Sequence, residues 1–245
     1  MAIPVMLQGP DAEHRNDYAD QRWPLGQKLV TQDGRVYRFA KTGGATLTPG
    51  DILDGPALIT NHLATVAAAN AAGATSLVAT LGATASAKNQ YRGGYASIVL
   101  TPGGGETYIL NYSPNIDTHA AVASGGVMTA KLAQGESIVT ALTTTSDVTW
   151  VLNPYAGVIQ SPITTLISSA VGIAVKASTT GRFGWVQTGG VASVLASGTV
   201  VVGNRVVRLV AAAAAGGPAA ADTSVEIGRA IAVGSTWTIV DLTLD

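Results

Sequence analysis

Apolar and polar residues alternate with a period of two along much of the chain, and the pattern is clearest over Gly181–Val210. Alternation of this kind indicates β-strands, because successive side chains of a strand point to opposite faces. Pairs such as Gly189-Gly190 interrupt the alternation and are typical of tight turns. The stretch therefore predicts an antiparallel meander of four short strands. These are Phe183–Thr188, Val191–Leu195, Thr199–Val202 and Arg205–Val210.

Segments on either side of this meander also predict strands. Asp33-Gly34 lies between two alternating runs, Gln27–Thr31 and Arg35–Lys41, and Asp-Gly in that setting predicts a hairpin. Near the other end, Trp237–Leu244 predicts a closing strand. The low-complexity run Ala211–Pro218 predicts a loop between strands.

The middle of the chain, residues 64–153, predicts a second β region. Five alternating segments are separated by Gly-rich or Pro-containing turns, and five strands of this length can close a small barrel. We interpret residues 64–153 as an inserted β domain, and residues 25–63 with 154–245 as the main barrel-like domain. The five predicted strands are Ala74–Leu81, Tyr95–Leu100, Glu106–Tyr112, Val127–Leu132 and Asp147–Leu152. The predicted fold class is all-β, with small antiparallel barrels or sandwiches.

Residues 1–24 show neither the periodicity of a helix nor that of a strand, and they contain three prolines, so we predict an extended N-terminal arm. Of the 29 charged residues in the chain, 13 lie in residues 1–54, so this end can either contact a partner or form a solvated tail. Tyr18 and Trp23 favour docking, because a free tail seldom retains aromatic residues.

One short motif occurs twice in the last third of the chain. Val171–Val175 (VGIAV) is similar to Ile227–Ile231 (IGRAI), and a turn and a further strand follow each of them. Either the two strands occupy related places in one barrel, or the similarity is a coincidence among strands rich in Val, Ile, Ala and Gly.

The composition favours an assembly subunit. Charged residues make up only 12% of the chain, against roughly 25% in an average soluble domain, so the surface is covered mainly by small and hydroxyl residues. A stable secreted β protein with a neutral surface is the alternative. A net charge of −1 argues against nucleic acid as a partner, and every apolar run is too interrupted to span a membrane. The first residues lack the pattern of a signal peptide, so we expect synthesis in the cytoplasm.

No motif in the sequence points to catalysis, a metal or a cofactor, and we expect the protein not to be an enzyme. His14, His62 and His119 share no metal-ligand spacing, and a structural role is the simpler explanation for each. There is no cysteine and no G-x-S-x-G nucleophile motif. Asp51 and Asp54 are the best candidates for a pair of catalytic carboxylates, but both lie beside Gly and Pro, where capping of a turn is expected.

Several stretches, in this order, resemble a family of tailed-bacteriophage virion proteins. They are LGQKLVTQDGRVYRFAKTGG (Leu25–Gly44), NAAGATSLVATLGATASAKNQYRGGY (Asn70–Tyr95), Asn153-Pro154-Tyr155 and GWVQTGGVASVLASGTVVVG (Gly184–Gly203). Proteins of this family are described as structural proteins encoded near the major capsid protein. The resemblance covers most of residues 25–245, and it brings no catalytic residues to transfer.

The resemblance implies a decoration (cement) protein of the phage head. Such proteins bind the outside of an expanded capsid, often as homotrimers, and hold neighbouring shell subunits together. The implied partners are the major capsid protein and further copies of this chain, and the implied location is the capsid surface of the virion. We hypothesise that residues 1–24 dock on the shell or on an adjacent trimer, with Tyr18, Arg22 and Trp23 as anchors.

Two other functions are considered. A head–tail connector, tail or fibre component would be present in few copies per particle. A carbohydrate-binding module would need an aromatic platform or an acid pair, and the scattered Trp and Tyr residues do not indicate one.

Overall fold

A computed structural model of the chain shows an almost entirely β protein with antiparallel pairing in nearly every ladder, which confirms the predicted all-β class. It describes residues 6–9, 12–100, 104–113, 117–162, 167–209, 215–218 and 225–245. Eighteen strands are present in these ranges: β1 Met6–Gln8, β2 Asp17–Tyr18, β3 Lys28–Val30, β4 Val36–Lys41, β5 Ile52–Asp54, β6 Thr65–Val66, β7 Ser76–Thr80, β8 Tyr95–Val99, β9 Gly105–Ile109, β10 Val127–Lys131, β11 Asp147–Val151, β12 Ile159–Gln160, β13 Ala170–Ala174, β14 Phe183–Leu195, β15 Arg205–Arg208, β16 Gly216–Pro218, β17 Glu226–Ala230 and β18 Trp237–Thr243. Two single-turn 3-10 helices, Glu13–Arg15 and Thr60–His62, complete the regular structure there.

The contacts divide the chain into two compact units. Unit 1 combines Met1–Pro56 with Pro154–Asp245, and unit 2 is Ala57–Asn153. The sequence placed the inserted region at residues 64–153, so the two descriptions differ in where the insertion begins and share its end.

Unit 1 contains one sheet of twelve strands, and β14 lies at its centre. The main path of hydrogen-bonded neighbours runs β1-β3-β4-β14-β18-β17-β15-β16, with β2, β5, β12 and β13 paired beside it. The β3–β4 hairpin turns at Asp33-Gly34 as predicted, with Gly34 at φ +83°. The first half of β14 pairs with β4 and its second half with β18, so one strand belongs to both halves of the sheet.

The prediction of a turn at Gly189-Gly190 is wrong, because β14 runs through it as one strand of 13 residues. A Gly-Gly hairpin needs its flanking segments to pair with each other, whereas here they pair with different strands. The chain bends at a bulge after Gln187, whose buried side-chain amide donates to the Gly189 and Val191 carbonyls at 3.1 and 2.9 Å. A Cβ at Gly189 would lie 3.2 Å from Val36, so the close approach of β4 favours glycine there.

Two neighbouring assignments also differ from the prediction. Thr199–Val202 is not a strand, and its ladder contact is a single bridge from Val200 to Gly234. Gly216–Pro218, predicted as part of a loop, is the strand β16, while residues 211–214 of that run lie outside the described ranges. A second single bridge, between Ala196 and Gly216, brings β16 next to the residue that follows β14.

The repeated motif corresponds to two strands in related places. β13 lies between β5 and β14, and β17 lies between β15 and β18. Each has a register shift at its glycine, Gly172 or Gly228. A Cβ at Gly172 would lie 2.9 Å from the Gln187 carbonyl oxygen, and one at Gly228 would lie 2.0 Å from that of Asp241. The shared glycine thus permits the same close backbone approach in both strands.

Unit 2 is a small closed barrel. Four strands pair in the order β6-β11-β8-β9, and β7 pairs with β10. Single antiparallel bridges, Ala67 to Ala79 and Leu110 to Leu132, join the two sheets at both edges and close six strands. All five strands predicted in this region are present, and β6 is an addition that the sequence analysis missed. The buried core includes Leu77, Ile98, Met128 and Trp150, all at most 1% exposed.

Residues 6–9 and 12–24, the described parts of the predicted arm, belong to unit 1, and β1 pairs in parallel with β3. His14 is buried and stacks on Tyr37 at 4.7 Å between ring centroids, and β2 pairs with the start of β14. Residues 1–5, 10 and 11 are outside the described ranges, so an arm that extends to a partner stays a prediction.

Candidate interaction surface

The histidines considered as catalytic candidates in unit 2 are fully hydrogen-bonded inside it. His62 is buried, donates from Nε2 to the Thr84 carbonyl at 2.8 Å, and accepts the Tyr91 hydroxyl proton at Nδ1. His119 donates from Nδ1 to the Ala120 carbonyl at 2.8 Å and accepts the Tyr91 backbone N–H at 3.1 Å. Burial lowers the pKa of His119 although the bond to Ala120 opposes this. Both imidazoles therefore act as structural groups around Tyr91.

The two candidate carboxylates have separate structural roles. Asp51 accepts the Thr48 backbone N–H at 2.7 Å and caps that turn as predicted. Burial raises the pKa of the Asp51 carboxyl, and the hydrogen bond from Thr48 acts against this. The prediction that Asp54 caps a turn is wrong, because it forms a buried ion pair with Arg208, which is 154 residues away in sequence. These two acids therefore do not form a catalytic pair.

The three predicted anchors do not share one exposed surface. Tyr18 and Trp23 are half-buried in an aromatic cluster with Phe39 and Trp185, and the Trp23 and Trp185 ring centroids are 5.3 Å apart. The Tyr18 hydroxyl donates to Glu13 at 2.7 Å. Arg22 is exposed, and its guanidinium carbon lies 4.4 Å from the Tyr18 ring centroid. The intramolecular cluster thus explains why this segment retains its aromatic residues.

A different part of unit 1 carries six exposed large apolar side chains in two short segments. Residues 196–204 and 230–240 contain no charged residue, and backbone hydrogen bonds join the two segments. Val200 donates to the Gly234 carbonyl at 2.8 Å, and Gly203 donates to the Ala230 carbonyl at 2.8 Å. We call their exposed apolar side chains the hairpin patch, and its members are Val201, Val202, Ile231, Val233, Trp237 and Ile239, each 42–64% exposed.

The fold fixes the orientation of this patch. Ala230 and Val240 pair across β17 and β18 and lie in the core, and Ile239 is the next residue on β18. Ile231 follows the end of β17, where its backbone N–H donates to the Ile239 carbonyl at 2.8 Å, and both isoleucine side chains are exposed. Trp237 lies over Gly50, where an added Cβ would come within 2.1 Å of the indole Cζ3 atom. One face of the indole is thereby supported by the chain's own backbone, and the side chain is still 47% exposed.

Charged groups of both signs lie beside the patch. Arg229 and Asp241 occupy directly opposite positions on β17 and β18, one residue beyond the apolar pairs. The Arg229 side chain is 64% exposed and its Nε atom is 3.9 Å from Glu226. Asp241 is exposed and forms no ion pair with any residue in the described ranges. The patch therefore has an apolar centre and a flank with one free acid and one weakly paired base.

The outward face of unit 2 has a more mixed character. Val99 and Tyr95 on β8 and Ile109 on β9 are exposed, but a row of hydroxyl side chains, Thr149, Ser97 and Thr107, lies between them in the sheet register. Apolar residues there are separated by polar ones in the sheet register, and charged residues lie close by, whereas the two segments of the hairpin patch contain no charged residue. The absence of charge over residues 196–204 and 230–240 was visible in the sequence, but the pairing of the two segments was not.

Neither a metal site nor a membrane helix is found in the described parts of the chain. There, no three His, Asp or Glu side chains come together as metal ligands would. Those same ranges include no helix with the length and hydropathy needed to cross a bilayer. Comparison with protein-family models, with curated proteins and with solved structures finds no match.

Proposed function

We propose that this chain is a structural protein of a tailed-bacteriophage head that binds the outside of the capsid and stabilises it. The observation that carries the proposal is the hairpin patch, an uncharged apolar surface on a rigid β framework. The resemblance of the sequence to phage virion proteins supplies the type of particle. Large apolar patches with polar surroundings mark interaction sites on otherwise polar proteins.

The state of the reactive side chains supports a structural role. His62, His119 and Asp54 are buried, and each contacts a partner inside its own unit through a hydrogen bond or an ion pair. General acid–base catalysis needs such a group within reach of a substrate. These groups stabilise the framework and are not presented to solvent.

The aromatic cluster changes how a role for the arm should be tested. Deleting residues 1–24 would remove Tyr18 and Trp23 from the core of unit 1, so lost capsid binding would not distinguish docking from misfolding. Arg22→Ala should leave this core in place, because Arg22 is exposed and packs over the half-buried ring of Tyr18 from outside. If Arg22 is an anchor, R22A should lower occupancy on capsids without lowering the melting temperature. Full occupancy of R22A would count against Arg22 as an anchor.

The decisive experiment is the copy number of this protein in purified virions of the phage that encodes it. Quantitative mass spectrometry against the major capsid protein should give a number comparable to that of the shell subunits. A few copies per particle would instead indicate a connector, tail or fibre component. Absence from the particle would refute the structural role, and glycan binding would then be examined by the shift in melting temperature with soluble glycans.

A further inference from the structure

We propose that the hairpin patch is the site at which a second copy of this chain binds, patch against patch. Arg229 of each copy then faces Asp241 of the other. The inference rests on the proposed structural function and deepens it by naming a surface of self-association; a twofold contact of this kind joins two copies and is not the contact within the homotrimer that the resemblance implies. It commits to a second copy of the chain, and a patch that binds a different protein is an outcome of the test.

The size of the patch fits the centre of a protein–protein interface. Six large apolar side chains that are 42–64% exposed present on the order of 500 Å² of apolar surface. A stable interface covers about 800 Å² on each partner, with an apolar centre and a polar rim. The patch supplies the centre, and the flank with Arg229 and Asp241 supplies part of the rim.

The charges on the flank favour a copy of the same chain as the partner. Arg229 and Asp241 lie opposite each other on neighbouring strands, yet the nearest ion-pair contact of Arg229 is the 3.9 Å approach to Glu226. A twofold axis through the patch places the acid of one copy against the base of the other, twice. A partner with charge of a single sign would match only half of this flank.

The rigidity of the patch lowers the entropic cost of association. Trp237 rests on the backbone at Gly50, and Ile231 and Ile239 are held in the register of β17 and β18. Side chains that are already ordered lose little freedom when they are covered. Trp237 is therefore the expected centre of the interface, since Trp is enriched among the residues that dominate binding.

The first test compares two Val→Glu variants of the full-length protein by sedimentation equilibrium and light scattering. Val233 is 64% exposed in the patch and Val127 is 61% exposed in unit 2, so the two changes are matched in exposure. The unmodified protein and V127E should associate equally, and V233E should raise the dissociation constant at least tenfold with an unchanged melting temperature. A monomeric unmodified protein at about 100 μM, or equal association of both variants, would overturn the inference.

The second test exchanges the charges on the flank. Arg229→Glu and Asp241→Arg should each weaken self-association at least tenfold, because like charges then face each other twice. An equimolar mixture of R229E and D241R should associate as tightly as the unmodified protein, since each acid again faces a base. Failure of the mixture to recover would refute the arrangement of patch against patch.

Capsid binding separates this inference from the proposed function. If V233E is monomeric and also loses capsid occupancy, the result supports both self-association through the patch and the proposed role on the capsid. If the unmodified protein is monomeric in solution but decorates capsids, and V233E alone abolishes decoration, the patch binds the shell and self-association is refuted. If the protein self-associates through the patch but is absent from virions, the proposed function fails and the interface remains.

Discussion

The buried ion pair between Asp54 and Arg208 gives the sharpest test of how unit 1 is held together. It links β5 to β15, and the two side chains are 0% and 2% exposed. The Arg208 guanidinium also donates to the Ser168 carbonyl at 2.9 Å, whereas Oδ2 of Asp54 has no hydrogen-bond partner in the described structure. The ion pair is therefore shielded from solvent, and only some of its polar atoms have hydrogen-bond partners.

Removing the acid should cost more than removing the base. Asp54→Leu leaves a buried guanidinium that cannot lose its proton, so we expect a loss of about 3–5 kcal/mol in the free energy of unfolding. Arg208→Met leaves a carboxyl group, and a carboxyl group, unlike a guanidinium, has a neutral form that can be buried, so the loss should be smaller than for Asp54→Leu. The double variant D54L/R208M removes both charges and should lie within about 1 kcal/mol of the unmodified protein or above it.

Urea unfolding followed by tryptophan fluorescence measures these differences. Three of the four tryptophans lie in unit 1, and Trp150→Phe removes the one in unit 2, so fluorescence then reports unit 1 alone. A double-mutant cycle gives the coupling between the two side chains. The reasoning would be refuted if D54L cost less than about 1 kcal/mol, or if the double variant were as unstable as D54L.

Three further predictions concern single positions. Gly50→Ala should destabilise unit 1 by more than about 1 kcal/mol in urea unfolding, because the φ angle of Gly50 is +88°. The new methyl group meets the indole of Trp237 and should shift its fluorescence, and an unchanged spectrum would contradict this contact. Ala64→Gly should stabilise unit 2 by about 0.5–1 kcal/mol and so raise its melting temperature, because Ala64 is exposed and its φ angle of +47° is strained for a residue with a Cβ. A lower melting temperature would show that this strain is absent. Burial opposes ionisation of Asp245, but hydrogen bonds from Lys28 and Arg38 outweigh it and lower the pKa of the Asp245 carboxyl below the usual 3.8. The stabilisation is present above about pH 4 and lost as pH falls through the folded-state value, so the stability difference between Asp245→Asn and the unmodified protein should shrink below pH 4; a difference independent of pH would refute it.

Local patterns predicted most strands, because a strand with one buried face shows its alternation in the sequence. Val148 and Trp150 lie in the core of unit 2 and alternate in β11 with half-buried residues, as a strand with one buried face requires. Gly189-Gly190 was predicted to form a hairpin turn and lies instead within a bent strand, because glycine pairs occur in both structures. Which of them forms depends on whether the flanking segments pair with each other or with distant strands.

Long-range pairing explains what the sequence did not reveal about the candidate surface. Asp54 resembled a turn cap because its partner, Arg208, is distant in sequence. The uncharged segments that form the hairpin patch were visible, but uncharged segments also form cores. Only the pairing of β17 with β18 shows that Ile231 and Ile239 face outward.

The discontinuity of unit 1 has a consequence for synthesis on the ribosome. β4 needs β14 as its neighbour, and the second half of β14 needs β18, which ends at Thr243. The nascent chain therefore completes unit 2 while residues 1–56 still wait for their partner strands. Those residues, including the apolar faces of the β3–β4 hairpin, are open to chaperones until β14 and β18 have been synthesised. A nascent chain halted after Asn153 should yield a protease-resistant fragment of unit 2 and none from residues 1–56.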